Sequence, residues 1–350
     1  MKTICLQIVT LLSFSMFINC SAQSDDTLVV AFWNLENLFD TIDDPEKNDK
    51  EWLPDGEKEW TEERLDKKFY NLARVIRSMN SNNGPDLLGV CEVENQAVLD
   101  SMISRYLSDL GYKTAYIESP DNRGIDNGLI YKTQLFKLLN VQADTVHLSD
   151  AWPTRLIFGV NLLTKENEKI TLFVNHWPSR SGGEKESEPN RIAAAQTLRS
   201  AVDRIFEQEQ NAQIFLIGDF NDEPTDISLL NYLQAEPLKC DSNTTLSLVK
   251  DVDTDLFNLS YNLYENGIGS YKYKDDWNML DQIIVSRDLI LNEHFSYICN
   301  SFEVYKPEYI VTKTGNYKGA PFPGYGGSRY LGGYSDHFPV IAKFLFRMGD

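Results

Sequence analysis

The sequence FLIGDFNDEPTD, residues 215–226, changes abruptly from an apolar run to a series of polar side chains. The apolar run is typical of a buried strand, and we expect the strand to stop at Gly218, where a glycine leaves room for a turn. Asp219 and Asn221 follow directly. Carboxylate and amide groups at a strand end indicate either a local turn or a ligand site at the edge of a sheet.

The rest of the chain contains further strand-like segments and predicted helices between some of them. Seven segments are rich in β-branched and aromatic residues: TLVVAFWN, DLLGVCEVE, NGLIYK, RLIFGVNLLT, KITLFVNHW, MLDQIIVS and FPVIAKFLF. Helices are predicted after the cap residues Thr61 and Asn95, and from near Pro189. This order predicts an α/β fold with two mixed β-sheets packed face to face and helices outside. Since no repeat or linker interrupts the pattern, residues 27–347 are predicted to form a single domain.

Composition limits the classes of partner. The 350-residue chain has a formal net charge of −19, and 42% of its residues are hydrophobic. The hydrophobic fraction is ample for a buried core. The charge argues against nonspecific adhesion to nucleic acid or anionic lipid through a basic face, so a polyanionic substrate would need cations to help it bind.

The first 22 residues have the pattern of a secretory signal peptide. Lys2 is followed by an apolar stretch over residues 4–18 and then by small residues up to Ala22. We expect cleavage after Ala22. The alternative is cleavage before Cys20, which would leave a lipid-modified cysteine as an anchor, but the residues before Cys20 match a lipobox poorly. The protein is expected to be secreted, or periplasmic or associated with an outer membrane. No later segment is apolar for long enough to span a membrane.

Three cysteines remain in the expected mature chain. Cys91 lies in an apolar run and is expected to be a buried free thiol, whereas Cys240 and Cys299 could pair in an oxidising compartment. Two long segments without periodicity, residues 40–60 and 314–334, are expected to be functional or disordered loops, and the tyrosines of the second favour a binding loop.

Polar residues recur where the predicted strands begin or end. Taken singly, an Asp or Asn at such a position is more often a turn former or helix cap than a ligand. Together they form one set: Asn34, Glu36, Glu92, Glu94, Asn175, His176, Asp219, Asn221, Asp222, Asp281, Asp336 and His337. Carboxylate oxygens are ligands for Mg²⁺, Mn²⁺ or Ca²⁺, and a histidine paired with an aspartate can take a proton from water. The set therefore favours hydrolysis of a phosphoester.

In this order the residues resemble the endonuclease/exonuclease/phosphatase superfamily, which includes pancreatic-type deoxyribonucleases. The resemblance extends from Asn34 to Pro339 and rests on NLEN, GDFN and SDHFPV, of which the last two are fairly specific together and the first alone is weak. It implies a four-layered α/β sandwich, dependence on a divalent metal, and in-line attack of water on the phosphorus.

The resemblance also implies roles for individual residues. For the metal, it implies Asn34 and Glu92 as ligands, Asp336 nearby, and Glu36 as a contributor through water. For catalysis, it implies His176 beside the phosphate and leaving group, Asp219 positioning the nucleophile or metal, Asn221 stabilising the pentacovalent oxygen, and His337 as general base or phosphate clamp held by Asp281. Which group activates the water stays open.

Candidate substrate-binding groups surround this set. Arg123 and Arg180 could contact phosphate, and Trp177 or Tyr325 could stack on bases. A nuclease or another phosphodiesterase is the first interpretation of the function. A phosphomonoesterase or a phospholipid/sphingomyelin-type phosphodiesterase is the alternative, and a secreted binding protein without activity is a third. A monomer is the default expectation.

Overall fold

The computed structural model describes residues 26–149, 151–240, 254–291 and 295–346. The expected signal peptide and Cys20 therefore lie outside the described residues. None of the described helices is both long and apolar enough to cross a membrane.

The first large sheet has seven strands and includes both the first and the last strand of the described chain. In spatial order it contains β14 (Phe295–Tyr297), β18 (Val340–Phe346), β1 (Asp26–Leu38), β2 (Leu87–Val93), β4 (Asp126–Lys132) and β3 (Tyr112–Tyr116), with β15 (Glu303–Val304) also paired to β18. The pair β1–β2 is parallel and the other pairs are antiparallel. The sheet is therefore mixed, as predicted.

The second large sheet also has seven strands, and one of them contains the FLIGD sequence of residues 215–219. In spatial order it contains β5 (Phe136–Asp144), β6 (Ile157–Thr164), β7 (Lys169–His176), β8 (Gln213–Asp219), β13 (Asp281–Ser286), β10 (Leu256–Asn258) and β9 (Ala235–Pro237). The pairs β7–β8 and β9–β10 are parallel. Two small hairpins complete the strands: β11 (Tyr271–Tyr273) with β12 (Asp276–Asn278), and β16 (Tyr325–Gly326) with β17 (Arg329–Tyr330).

Five α-helices are described. They are α1 (Glu62–Asn82), α2 (Gln96–Tyr106), α3 (Glu184–Phe206), α4 (Tyr261–Glu265) and α5 (Asp288–Leu291). Short 3-10 turns occur at Lys50–Trp52, Ser108–Leu110 and Glu308–Ile310, and a π-helical turn at Ser228–Leu233. The predicted caps are confirmed, because the side chains of Thr61 and Asn95 each accept from the backbone amide three residues onward, in α1 and α2.

The two sheets pack face to face, and helices cover their outer faces. Phe215 of β8 packs edge-on against Phe295 and Phe344 of the first sheet, at 6.0 and 5.0 Å between ring centroids. α1 and α2 bury their apolar sides in the core that includes the first sheet, and α3 packs with the π-helical turn on the second. The predicted α/β sandwich with helices outside is confirmed.

Three features differ from the sequence-based expectations. The strand β8 continues through Gly218 to Asp219, and a Cβ at Gly218 would lie 2.5 Å from the carbonyl oxygen of Asn175; the glycine allows close approach of β7 instead of a turn. Helix α3 begins at Glu184 and contains Pro189. Most of the additional strands have only two or three residues, too few to show a periodicity.

The cysteines behave as expected. Cys240 and Cys299 form a disulfide, and Cys91 is a buried free thiol whose pKa is raised by burial. The two aperiodic segments pack on each other: Trp52 and Trp60 contact Tyr325, with ring centroids 5.4 and 6.0 Å apart. Tyr325 is thereby held in an aromatic cluster and is not free to stack on a base.

Candidate active site

Strand register places three of the predicted catalytic residues in one row. His176 at the end of β7 lies opposite Asp219 at the end of β8, and Asp219 lies opposite Asp281 at the start of β13. All three are buried. The row lies at the carboxyl end of the parallel pair β7–β8, a common ligand-binding edge of a sheet.

The first sheet contributes residues from a distorted part of β1 and β2. The pairing of β1 with β2 shifts between Asn34 and Leu38, and the pairing of β2 with β4 shifts between Cys91 and Val93. Glu36 and Glu92 have φ of 53° and 58°, and Asn221 beyond β8 has φ of 52°. Such strained, left-handed residues redirect side chains from their regular strand positions and often cluster at functional sites.

Asn34 links the two halves of the site. Its Nδ2 donates to Glu92 Oε1 at 3.3 Å and to Asp219 Oδ2 at 3.2 Å, while its Oδ1 accepts from the Glu36 amide at 2.9 Å. The other oxygen of Glu92 accepts from the Asn37 amide at 2.9 Å. In this orientation Asn34 holds two carboxylates close together, and its amide oxygen is bound to the backbone.

His337 and Asp281 form a buried pair. Nδ1 of His337 donates to Asp281 Oδ2 at 2.7 Å, and Ser270 Oγ donates to the same oxygen at 2.5 Å. The Tyr271 ring stacks on the imidazole with centroids 4.6 Å apart, and Trp33 Nε1 donates to the His337 carbonyl at 2.9 Å. These contacts fix the position of the imidazole and keep a proton on its Nδ1.

The two histidines of the site have opposite electrostatic environments. Burial alone would lower the pKa of His337, but Asp281, with Asp336 and Asp219, raises it well above the ordinary value. Burial, and then the positive charges of Arg155, Arg123 and His337, lower the pKa of His176 well below it. The site therefore favours the charged form of the imidazole at position 337 and the neutral form of the one at position 176.

His176 faces the carboxylates from the side opposite His337. Its Nε2 lies 3.8 Å from Glu92 Oε1 and 3.9 Å from Asp219 Oδ2, while its buried Nδ1 has no hydrogen-bond partner in the described structure. Nε2 of His337 also lies 3.9 Å from Asp219 Oδ2. Asp219 is thus the central residue between two imidazoles.

The site concentrates acidic groups in a way that suits a divalent cation. Burial raises the pKa of Asp219 to about 7 and also raises that of half-buried Asp336, with the Glu92 charge adding to the second effect. Ligand atoms of Asp219, Asp281 and His337 lie within 4.8 Å of one another, and this group could hold a metal ion. Oxygen-rich clusters of this kind are typical of Mg²⁺, Mn²⁺ or Ca²⁺ sites.

Asn221 is positioned by both strands of the parallel pair. Its backbone amide donates to Asp219 Oδ1 at 3.0 Å, and its Nδ2 donates to the carbonyl of Trp177 at 3.0 Å. The left-handed conformation at Asn221 brings its side chain back across the end of β7. Asn221 therefore lies in the site as predicted.

Glu36 is bound by a lysine and by two backbone amides. Its Oε2 accepts from Lys68 Nζ at 3.2 Å and from the Gly324 amide at 2.6 Å, and its Oε1 accepts from the Tyr325 amide at 3.2 Å. Both oxygens are thus engaged by Lys68 and by the segment 314–334, while Asp336 lies near enough for its charge to help raise the Glu36 pKa, which burial raises most. Glu36 anchors the segment 314–334, and its contribution to the metal through water stays a prediction.

Two of the three predicted substrate-binding residues are engaged in contacts within the protein. Trp177 is 1% exposed and packs edge-on against Phe220 at 4.8 Å, so its ring cannot stack on a base. Arg180 donates to the Asn221 carbonyl at 2.8 Å and to Asp226 Oδ2 at 2.9 Å, and so supports the loop after β8. Arg123, whose side chain is 53% exposed, remains available to a phosphate.

Arg155 is a site residue that sequence reasoning missed. The buried guanidinium donates to the carbonyls of His176 at 3.1 Å and Trp177 at 2.6 Å, and pairs with Asp121 at 3.1 Å. It holds the end of β7 in place and places a positive charge behind His176. In the sequence Arg155 precedes an apolar strand like any surface residue, and Asp121 lies 34 positions away, so no local signal identifies the pair.

Comparison with known proteins agrees with this architecture. A protein-family model described as the Endonuclease/Exonuclease/phosphatase family matches residues 29–345. No match was found among curated proteins.

Solved structures with a similar fold come from several organisms. The human Nocturnin catalytic domain is 20% identical, with 92% of this chain and 96% of that chain covered and a TM-score of 0.51. A truncated TDP2 from Caenorhabditis elegans is 15% identical, with 91% and 97% covered and a TM-score of 0.54. A mannosyl-6-phosphatase from Bacteroides thetaiotaomicron is 17% identical, with 91% and 100% covered and a TM-score of 0.56. These similarities establish the fold alone.

Proposed function

Because the chain belongs to the endonuclease/exonuclease/phosphatase family, we propose that it is a secreted, divalent-metal-dependent phosphodiesterase that cleaves nucleic acid. The family consists of phosphoester hydrolases, so the reaction class follows from membership. The observation that carries the proposal is the row of His176, Asp219 and Asp281, with His337 bonded to Asp281 at 2.7 Å. It combines groups for binding a phosphate and for moving a proton within one buried edge.

Two observations support secretion. The chain begins with a segment that has the charge and apolar pattern of a signal peptide. The disulfide between Cys240 and Cys299 is of a kind that persists in oxidising compartments.

We assign Glu92 and Asp336 as the residues that would hold the cation. Both are half-buried, and the Glu92 charge raises the pKa of Asp336, because two carboxylates close to each other repel. Asn34 positions Glu92 through the bond at 3.3 Å. When bound, a divalent cation would supply charge neutralisation on a phosphate oxygen.

The other residues of the site have complementary tasks. Asp219, with a pKa of about 7, takes a proton from the attacking water at near-neutral pH. The charged His337 imidazole, held by Asp281, binds a non-bridging phosphate oxygen, and neutral His176 donates its Nε2 hydrogen from the opposite side. Asn221 holds the ends of β7 and β8 together beside them.

A phosphomonoesterase is the second candidate. A mannosyl-6-phosphatase from Bacteroides thetaiotaomicron shares the fold over 91% of this chain, so the fold also accommodates this reaction. The same arrangement of carboxylates and imidazoles serves monoesters and diesters, because both reactions pass through an in-line transfer of the phosphoryl group.

Hydrolysis of four substrates tests the proposal. The purified protein would be incubated with single-stranded DNA, RNA, bis-p-nitrophenyl phosphate or p-nitrophenyl phosphate, in Mg²⁺, Mn²⁺, Ca²⁺ or EDTA. We expect metal-dependent cleavage of the diesters, lost in His337→Ala and retained in the exposed control His147→Ala. Release from the monoester alone would establish the phosphomonoesterase, and the absence of metal-dependent turnover on all four substrates would contradict the proposal.

A further inference from the structure

A hairpin of alternating tyrosines and lysines lies directly beside His337. It consists of β11 and β12 and begins with the sequence YKYK, residues 271–274. Tyr271 stacks on the His337 ring at 4.6 Å and forms a β-bridge with that residue, and the Phe338 amide donates to the Ser270 carbonyl at 2.8 Å. The hairpin is therefore attached to the catalytic edge through its first residue.

A second segment brings another tyrosine and lysine to the same place. Tyr317 and Lys318 lie in a tight loop in which the Lys318 amide donates to Gly315 and the Ala320 amide donates to Tyr317. Burial, together with nearby Asp336, Asp219, Tyr273 and Tyr317, raises the pKa of Tyr271 to about 12. Because the Tyr317 hydroxyl contributes to this pKa, the loop lies near the hairpin. Together they form the Tyr–Lys rim: Tyr271, Lys272, Tyr273, Lys274, Tyr317 and Lys318.

The rim presents exposed aromatic rings and lysines without a carboxylate partner. Tyr273 and Tyr317 are 56% and 52% exposed, and the Lys274 ammonium covers one face of the Tyr273 ring. In the described part of the chain, Lys272, Lys274 and Lys318 form no ion pair; Lys272 and Lys274 lie instead 5.6 and 5.1 Å above neighbouring aromatic rings. The three lysines lie outside the described ion pairs of a protein with a net charge of −19, and Asp275 and Asp276 of the same hairpin offset part of their positive charge.

We propose that the Tyr–Lys rim binds the single-stranded nucleotides that flank the scissile phosphate; this inference rests on the proposed function. Exposed tyrosines stack on any base, and lysines between them neutralise successive phosphates. The rim is continuous with His337 through Tyr271, so a strand lying on it enters the site in a fixed direction.

Two sets of variants test the rim. Tyr273→Ala and Tyr317→Ala remove the exposed rings, and the triple variant Lys272→Gln, Lys274→Gln, Lys318→Gln removes the charges. Tyr271 is left intact because its ring also supports His337. The control is Tyr70→Ala with Lys67→Gln, a Tyr–Lys pair on α1 with the ammonium 5.2 Å from the ring and the ring 48% exposed.

The readout is the ratio of kcat/KM on single-stranded oligodeoxythymidylate to kcat/KM on bis-p-nitrophenyl phosphate. We expect each tyrosine variant to lower this ratio about tenfold through KM, as the removal of one stacked base predicts. The triple lysine variant is expected to reduce the slope of log(kcat/KM) against log salt by about 2, because each phosphate that a lysine neutralises contributes about 0.7 to the slope. The control variant, Tyr70→Ala with Lys67→Gln, should keep the wild-type kcat/KM ratio and the wild-type salt slope.

The outcomes separate this inference from the proposed function. If the wild-type protein cleaves neither diester with any metal, the proposed function fails. If it cleaves both and the rim variants keep the wild-type ratio and salt slope, the rim inference alone fails. Unchanged oligonucleotide kinetics together with weaker binding to phosphatidylserine vesicles would assign the rim to an anionic lipid surface and likewise overturn it.

Discussion

Replacing Asp281 with asparagine tests the His337–Asp281 pair with the least disturbance of shape. In the native protein the buried Asp281 carboxylate accepts from His337 Nδ1 at 2.7 Å and from Ser270 at 2.5 Å. Asparagine keeps the volume and one acceptor, but it removes the negative charge that raises the pKa of His337. The pKa of His337 should therefore fall, and a carboxylate would no longer hold the proton on its Nδ1.

The size of the effect follows from this geometry. A hydrogen bond to a charged group contributes about 1.5–3 kcal/mol, which corresponds to roughly 10–150-fold in rate. Loss of the imidazolium adds to this, so kcat should fall by about 10²–10⁴-fold, the range found for catalytic acid–base groups. The free energy of unfolding should change by less than about 2 kcal/mol, because the substitution removes a buried charge without leaving a cavity.

Steady-state hydrolysis of bis-p-nitrophenyl phosphate and urea unfolding measure the two quantities. Asp55→Asn, at an exposed position, controls for the loss of one negative charge on this acidic protein. A folded Asp281→Asn variant with kcat within about threefold of the wild type would refute the role of the pair.

Three further predictions concern stability. In Arg155→Met the buried carboxylate of Asp121 keeps only its ion pair with Arg123, which is largely exposed. The free energy of unfolding should therefore fall by about 3 kcal/mol and should recover when Asp121→Asn is added. Burial raises the pKa of Asp126 to about 6, so the folded state holds this proton more tightly than the unfolded state. The free energy of unfolding should therefore fall as the pH rises from about 4 to 6, and urea titrations of Asp126→Asn should lack this pH dependence. Reduction of the disulfide between Cys240 and Cys299, 59 residues apart, should cost about 4 kcal/mol in urea unfolding, and the double serine variant should be insensitive to reductant.

The sequence carries a clear signal for elements that bury a continuous apolar face. The strands around Phe215 and the helices after Thr61 and Asn95 are predictable because apolar period and cap chemistry agree. The start of α3 cannot be predicted in this way, because Gly183 at its cap position has no side chain that could accept a hydrogen bond from the first turn. Strands of two or three residues depend on pairing with distant neighbours and leave no local pattern.

For the candidate site, the sequence predicts which residues converge better than it predicts what each one contacts. Asp219 and His337 follow from their position at strand junctions, and the structure brings them within 3.9 Å. The burial of Trp177 and the capture of Glu36 by Lys68 could not be predicted, since both depend on β-bulges and packing that involve distant parts of the chain. Long-range partners decide the side-chain direction, and a single sequence does not reveal them.

The most direct test of the account is the metal dependence of bis-p-nitrophenyl phosphate hydrolysis by the wild-type protein, by Glu92→Gln and by the exposed control Glu57→Gln. We predict that EDTA abolishes release of p-nitrophenol, that Mg²⁺ or Mn²⁺ restores it in the wild type and in the control, and that Glu92→Gln stays inactive or requires far more metal. Undiminished hydrolysis in EDTA, or a Glu92→Gln variant with the wild-type metal dependence, would contradict the account.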